Sequence, residues 1–157
     1  MKFLKPYFIL WLMVVTACST DNDIDKDLDK PTITVNYDGG FPQGCEQLQR
    51  GNTYIIKAKV TDNLALASYS IDIHNNFDHH THDDQGKICD LEPIKTPVNP
   101  LIFKENFKIE GNLKEQEIEI ELNLPESIDT GDYHCALSVT DQTGWNTRTS
   151  IDIKIVE

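Results

Sequence analysis

Four of the five histidines, His74, His79, His80 and His82, fall within nine residues, in the run IHNNFDHHTHDD, with Asp78, Asp83 and Asp84 interleaved. Imidazole nitrogens and carboxylate oxygens are the donors that borderline transition metals take, so this is the composition of a Zn²⁺, Cu²⁺ or Ni²⁺ site. The fifth histidine, His134, is more than fifty residues further along the chain. It joins the cluster only if the fold returns it there. No HExxH helix, Gly-x-Ser-x-Gly elbow or phosphate loop is present, so the chemistry expected is binding rather than catalysis.

The elements that must position these side chains read as strands. From Pro31 onward the apolar period is two, and no window of eleven residues holds a clean helical stripe. Strands are expected over Thr32–Tyr37, Thr53–Val60, Ala67–His74, Leu101–Ile109, Glu117–Leu124, a run containing Tyr133, Cys135, Leu137 and Val139, and Thr147–Val156. The alternation puts Tyr54, Ile56, Ala58 and Val60, then Tyr69, Ile71 and Ile73, then Ile118, Ile120, Leu122 and Leu124 on inward faces. Ser68, Ser70, Asp72 and His74 face outward.

Seven short strands in about 125 residues suit an all-β, two-sheet antiparallel sandwich of immunoglobulin type. Asp129-Thr130-Gly131-Asp132-Tyr133-His134-Cys135 resembles the run before strand F of such domains, where a tyrosine two residues ahead of a cysteine makes a corner hydrogen bond. Tyr133 is therefore the expected tyrosine corner. Strand B offers no partner cysteine, which leaves Cys135 a buried thiol. Strands C and F are antiparallel neighbours, so His74 at the end of C and His134 at the start of F become a cross-strand pair. The expected metal site is this pair, completed by His79, His80 or His82, with Asp78 or Asp83 as carboxylate candidates. Within the loop, His80 and His82 share a side if the segment is extended, whereas His79 and His82 converge if it turns.

Of the remaining cysteines, Cys45 and Cys89 fall in loops, and an oxidising compartment favours their pairing. The compartment is argued from the N-terminus. Lys2 and Lys5 precede an apolar run from Tyr7 to Val15, too short to span a bilayer, and Val15-Thr16-Ala17-Cys18 resembles a bacterial lipobox. Residues 1–17 read as a signal peptide, Cys18 as the lipidated residue, 18–30 as an acidic flexible tether and 31–157 as the sandwich. Residues 19–30 hold five Asp and two Lys against two aliphatic residues, a composition that cannot repay ordering entropy. Asp21 and Asp23 resemble the acidic export signal of Bacteroidota surface lipoproteins, which places the expected location at the outer membrane, facing outward.

Removing residues 1–17 takes away Lys2 and Lys5 and no acid, so the net charge falls from -12 to -14. That charge disfavours nucleic acid as a partner and favours cations. Val60-Thr61-Asp62-Asn63 is echoed by Val139-Thr140-Asp141-Gln142-Thr143-Gly144, and both Asp residues read as turn caps at one end of the sandwich. A cadherin-like calcium site would use such carboxylates too, but it needs six or more oxygens and a shared interdomain junction that a single domain lacks, so turn capping is the expected role.

The signal, these VTD-then-turn strands, the histidine-rich stretch and Gly131-Asp132-Tyr133-His134 together resemble a Bacteroidota lipoprotein family, domain-of-unknown-function family 4625, over most of residues 31–157. The resemblance implies a small surface or periplasmic lipoprotein and no particular reaction. The expectation is thus a lipid-anchored envelope protein that binds Zn or Cu, to buffer it or pass it to an envelope receptor or transporter. The competing reading is a non-enzymatic module binding a glycan or protein partner. A glycan platform would have to draw on Tyr37, Phe41, Phe77, Phe103, Phe107 or Trp145.

Overall fold

The computed structural model describes residues 27–82 and 89–157. The expected signal segment, Cys18, the first part of the expected tether and Asp83 lie outside the described residues. Eight strands follow in order: β1 Thr32–Thr34, β2 Glu46–Gln49, β3 Thr53–Thr61, β4 Leu66–Asn75, β5 Phe103–Lys108, β6 Glu115–Asn123, β7 Gly131–Asp141 and β8 Asn146–Val156. One sheet has the order β1-β3-β6, the other β2-β8-β7-β4-β5. No helix occurs among the described residues.

The two sheets close on a core that the period-two pattern identifies. Ile56, Ala58 and Val60 of β3 and Ile118, Ile120 and Leu122 of β6 meet Ile71, Ile73, Tyr133, Cys135, Leu137, Val139, Ile151, Ile153 and Ile155 from the facing sheet, all of them buried. Burying each such aliphatic side chain is worth roughly 1.5–3 kcal/mol. Among the described residues, every core residue lies between Leu48 and Ile155, so a chain that begins after residue 17 retains all of them. On the outer face of the smaller sheet, Lys57 stands opposite Glu119 and Lys59 opposite Glu117, and Lys57 Nζ lies 2.6 Å from Glu119 Oε1.

Two sequence expectations are corrected here. The strands number eight rather than seven, and the sandwich is not wholly antiparallel, because β2 pairs with β8 in parallel. Its sequence, EQLQ, buries only Leu48 and contains no β-branched residue, so it lacks the composition of a strand. The edge of β8 supplies its pairing. The first strand is shorter than expected because Tyr37 N–H turns back to the Val35 carbonyl, and Gly40 N–H to that of Tyr37.

β4 and β7 are antiparallel neighbours, with Ile73 opposite Cys135 and His74 opposite His134. Tyr133 sets the parity of β7. Its hydroxyl donates to the Asp129 carbonyl at 2.7 Å and accepts from Leu101 N–H at 3.2 Å, the contacts of a tyrosine corner.

Candidate metal centre

The chain leaves β4 through a tight turn. Asn76 N–H bonds to the Asp132 carbonyl, His79 N–H bonds to the Asn76 carbonyl, and buried Phe77 packs edge-on against Tyr133. His79 then adopts a left-handed backbone conformation, φ 62°, that few non-glycine residues take. This reversal folds the following residues over the outer face of β4 and β7. The His79 ring is carried away from the cluster, its Nε2 donating to the Glu92 carbonyl at 2.7 Å. His80 and His82 share a side and face His74.

His74 Nε2 lies 3.2 Å from His80 Nε2 and 3.3 Å from His82 Nε2, and one ring nitrogen of each of the three lies within 4.8 Å of the others. This His74, His80 and His82 triad could hold a metal ion. Behind it, His74 Nδ1 meets Asp72 Oδ1 at 3.0 Å and His80 Nδ1 meets Asp78 Oδ1 at 2.6 Å. Carboxylates accept, so the Nδ1 positions carry protons, and when both rings are neutral both Nε2 atoms present lone pairs. Two lone pairs facing each other at 3.2 Å repel. A cation between them removes the repulsion, and a carboxylate behind each ligating imidazole is the usual second layer of a metal site.

The two acids are held ionised. Asp78 sits below the usual carboxylate range, chiefly because of the His80 hydrogen bond. For Asp72, burial alone would push the carboxyl up. The hydrogen bonds from Lys104 and His74 outweigh burial and bring it below the usual value. Lys104 Nζ lies 2.9 Å from Asp72 Oδ2.

His134 is placed differently from the expectation that it would be half of the metal site. Its ring packs within 5.7 Å of His74, 5.0 Å of His80 and 4.6 Å of His82, centroid to centroid, yet it is fully buried beneath the loop. Its Nδ1 meets Asp152 Oδ1 at 2.8 Å, and its Nε2 lies 3.2 Å from the His80 carbonyl oxygen. Both ring nitrogens face oxygen atoms of other residues, so neither is aimed at the triad. His134 is the floor under the site, tying His80 backbone to the sheet. Asp78, expected as a candidate ligand, orients His80 instead.

Asp72 and Asp152 went unmarked in the sequence reading. For Asp72 the strand period shows the face it shares with His74, two residues on along the same strand, but not the hydrogen bond to that ring. Asp152 was not legible even to that extent, since only the β7–β8 register, His134 opposite Asp152, brings it to the ring.

Cys45 and Cys89 form a disulfide with Cα atoms 5.6 Å apart, and Cys135 is a buried free thiol. The bridge anchors the far end of the histidine-bearing connection to residue 45, whose N–H bonds to the Asp152 carbonyl. Closing 44 residues contributes about 4 kcal/mol in the chain-entropy model.

Fold and site together define a two-sheet β-sandwich carrying a half-buried histidine triad over one sheet face. No curated protein matches the sequence. The chain belongs to the family described as Domain of unknown function (DUF4625), whose model matches residues 16–156.

Proposed function

We propose that this is a lipid-anchored envelope protein whose immunoglobulin-like domain binds Zn²⁺ through His74, His80 and His82, without catalysis, to buffer the metal or pass it to an envelope receptor or transporter. The convergence of the Nε2 atoms carries the reading. Tetrahedral zinc with bonds of about 2.0–2.1 Å holds its nitrogens about 3.3–3.4 Å apart. A square-planar Cu²⁺ set with similar bonds would bring adjacent nitrogens to about 2.9 Å. The spacings of 3.2 and 3.3 Å from His74 fall near the tetrahedral value, which supports zinc, and copper is the alternative that the titration below tests. Three protein ligands leave a fourth position for water or for a group on a receiving partner.

The immunoglobulin-type assignment is supported by the sheet order, with β3 and β6 as strands B and E facing β4 and β7 as C and F, and by the Tyr133 corner. Lipidation rests on the Val15-to-Cys18 motif. Cys18→Ser should abolish acyl labelling and release the domain from membranes, and unchanged labelling would remove the anchor from the proposal.

The interaction-module reading keeps one supporting feature. Leu91, Ile94, Val98 and Ile102 are exposed along the connection that follows the disulfide, an apolar edge that a protein partner could cover. A glycan platform is less well served: Phe41, Phe103 and Phe107 pack against the core, Phe77 is buried, and Tyr37 is tied to Glu117 at 2.6 Å.

Calorimetric titration of Zn²⁺ and Cu²⁺ into protein without a histidine tag decides between the readings. Saturable one-to-one zinc binding is expected. Absence of saturation at micromolar metal would discard the zinc proposal in favour of the interaction module.

A further inference from the structure

About 23 Å from the triad, counting the seven residues from His134 to Asp141 at roughly 3.3 Å each along β7, a second set of metal-binding side chains meets at the other end of the sandwich. Asp62 follows β3, Asp141 ends β7, and Asp27 comes from the tether before β1. One carboxylate oxygen of each lies within 4.8 Å of the other two.

Asp141 and Asp62 cap turns, and that role uses one oxygen apiece. Asp141 Oδ1 accepts from the N–H groups of Thr143, Gly144 and Trp145 at 2.7–2.9 Å and from Thr143 Oγ1 at 2.9 Å. Asp62 Oδ2 accepts from Leu64 and Ala65 N–H, both at 2.7 Å. The remaining oxygens, Asp141 Oδ2 and Asp62 Oδ1, are buried with no hydrogen-bond partner, and Asp141 as a whole is only 2% exposed. Capping does not explain them. A buried carboxylate oxygen without a donor is destabilising, and like charges this close repel. Among the described residues, no lysine, arginine or histidine forms an ion pair with any of the three.

The third carboxylate is held in place from the tether side. Trp145 Nε1 donates to the Asp27 carbonyl at 2.9 Å, and Asn63 Nδ2 donates to Asp27 Oδ1 at 2.9 Å. Thr143 Oγ1 lies 3.5 Å from Asp27 Oδ2. The donor set is therefore all oxygen, with three negative charges drawn from three separate segments. Hard cations take such sets. Calcium, which accepts six to eight oxygens in flexible geometry and can complete with water what the three carboxylates leave open, suits them better than magnesium, which demands a near-ideal octahedron.

We propose that Asp27, Asp62 and Asp141 form a calcium site that staples the tether to the end of the sandwich opposite the histidine triad. This site is independent of the zinc reading. Calcium neutralises the unpartnered oxygens and fixes residue 27 against Trp145.

The test uses the chain from Ser19 to Glu157, which carries every core residue and a single tryptophan, Trp145. After chelator treatment it is titrated with CaCl₂ and separately with MgCl₂, following heat and Trp145 fluorescence. One-to-one calcium binding with Kd of about 10⁻⁴–10⁻³ M, the range of extracellular modules, is expected, with magnesium weaker. Asp27→Asn lies outside the core and should weaken binding at least about tenfold by removing one ligand charge. Asp141→Asn keeps an acceptor for the turn N–H groups and should do the same without loss of the β-sheet circular dichroism signal. His80→Ala should leave calcium affinity unchanged, which separates this site from the triad. No saturable response up to about 10 mM calcium, equal affinity in Asp27→Asn, or magnesium binding as tight as calcium would overturn the proposal.

Discussion

His74 and His134 face each other across β4 and β7 as direct register partners, yet they do different work because different carboxylates hold them. Asp72, two residues earlier on the same strand, takes His74 Nδ1 and leaves Nε2 free to point at His80 and His82. Asp152, across the strand from His134, takes that ring's Nδ1, while the His80 carbonyl takes its Nε2. One of the pair is thus available as a ligand and the other is a support.

That division predicts a graded mutational series. His74→Ala, His80→Ala and His82→Ala should each reduce zinc affinity by about a hundredfold or more, because each deletes a bond to the metal. Asp72→Asn should cost about 10–100-fold, the usual effect of removing an orienting carboxylate. His79→Ala should change affinity little, since that ring is committed to the Glu92 carbonyl. Calorimetry on the five variants checks the order, and a loss at His79 equal to that at His80 would contradict it.

Protons and zinc compete for the same Nε2 lone pairs, so zinc affinity should weaken on acidification and binding should release protons into the buffer. Repeating the titration in buffers of different ionisation enthalpy measures that release. Zinc affinity that does not change between about pH 7.5 and about pH 5.5 would point to carboxylate rather than imidazole ligands.

How far the sequence could be read is clearest in these same residues. The core faces of β3, β4, β6 and β7 were legible because each alternates strictly, and Tyr133, with its cysteine two residues on, set the parity that puts His134 beside His74. Burial of His134 was not legible, because it depends on a loop whose path turns on one left-handed residue, His79. Nor was β2, which has neither alternation nor β-branched residues and exists by pairing to β8. The Asp62 and Asp141 caps were readable from the repeated turn. Their meeting with Asp27 was not, since nothing local binds a tether residue to a turn more than a hundred residues away.

The disulfide should matter to stability and to the metal site together. Replacing Cys45 and Cys89 with alanine should lower stability by about 4 kcal/mol and weaken zinc binding, because the connection carrying His80 and His82 loses its far anchor. Denaturant titration of the oxidised parent and the double variant, with and without zinc, reads both effects. A double variant as stable as the parent would show that the loop is already held without the bridge.

Tyr133→Phe isolates the corner. The substitution keeps the ring against Phe77 but leaves the Leu101 N–H and the Asp129 carbonyl without their partner, at a cost of roughly 1–3 kcal/mol. The β4–β7 register should survive, since it rests on nine paired positions. Reduced stability with zinc affinity retained is the expected result, and an unchanged denaturation midpoint would remove the corner from the stabilising contacts.

Alkaline pH should unfold the domain through groups that the core keeps protonated. Burial, with a smaller contribution from Asp72, pushes the Cys135 thiol from its ordinary value of 9.0 up to about 12, and burial pushes the Tyr133 phenol from 10.0 up to about 12. Between those values the unfolded chain gives up protons that the folded chain retains. Stability from this source is therefore complete below about pH 9 and declines as pH rises toward about 12. Urea midpoints measured between about pH 8 and about pH 11 should fall steadily, and Cys135→Ala should start from a lower midpoint but fall less steeply. Folded protein at about pH 8 should also resist thiol alkylation at Cys135, with one thiol appearing only on unfolding. A flat urea profile across that range, or rapid alkylation of the native state, would mean that Cys135 is not sealed in the core beside Ile73 and Ile151, its register partners.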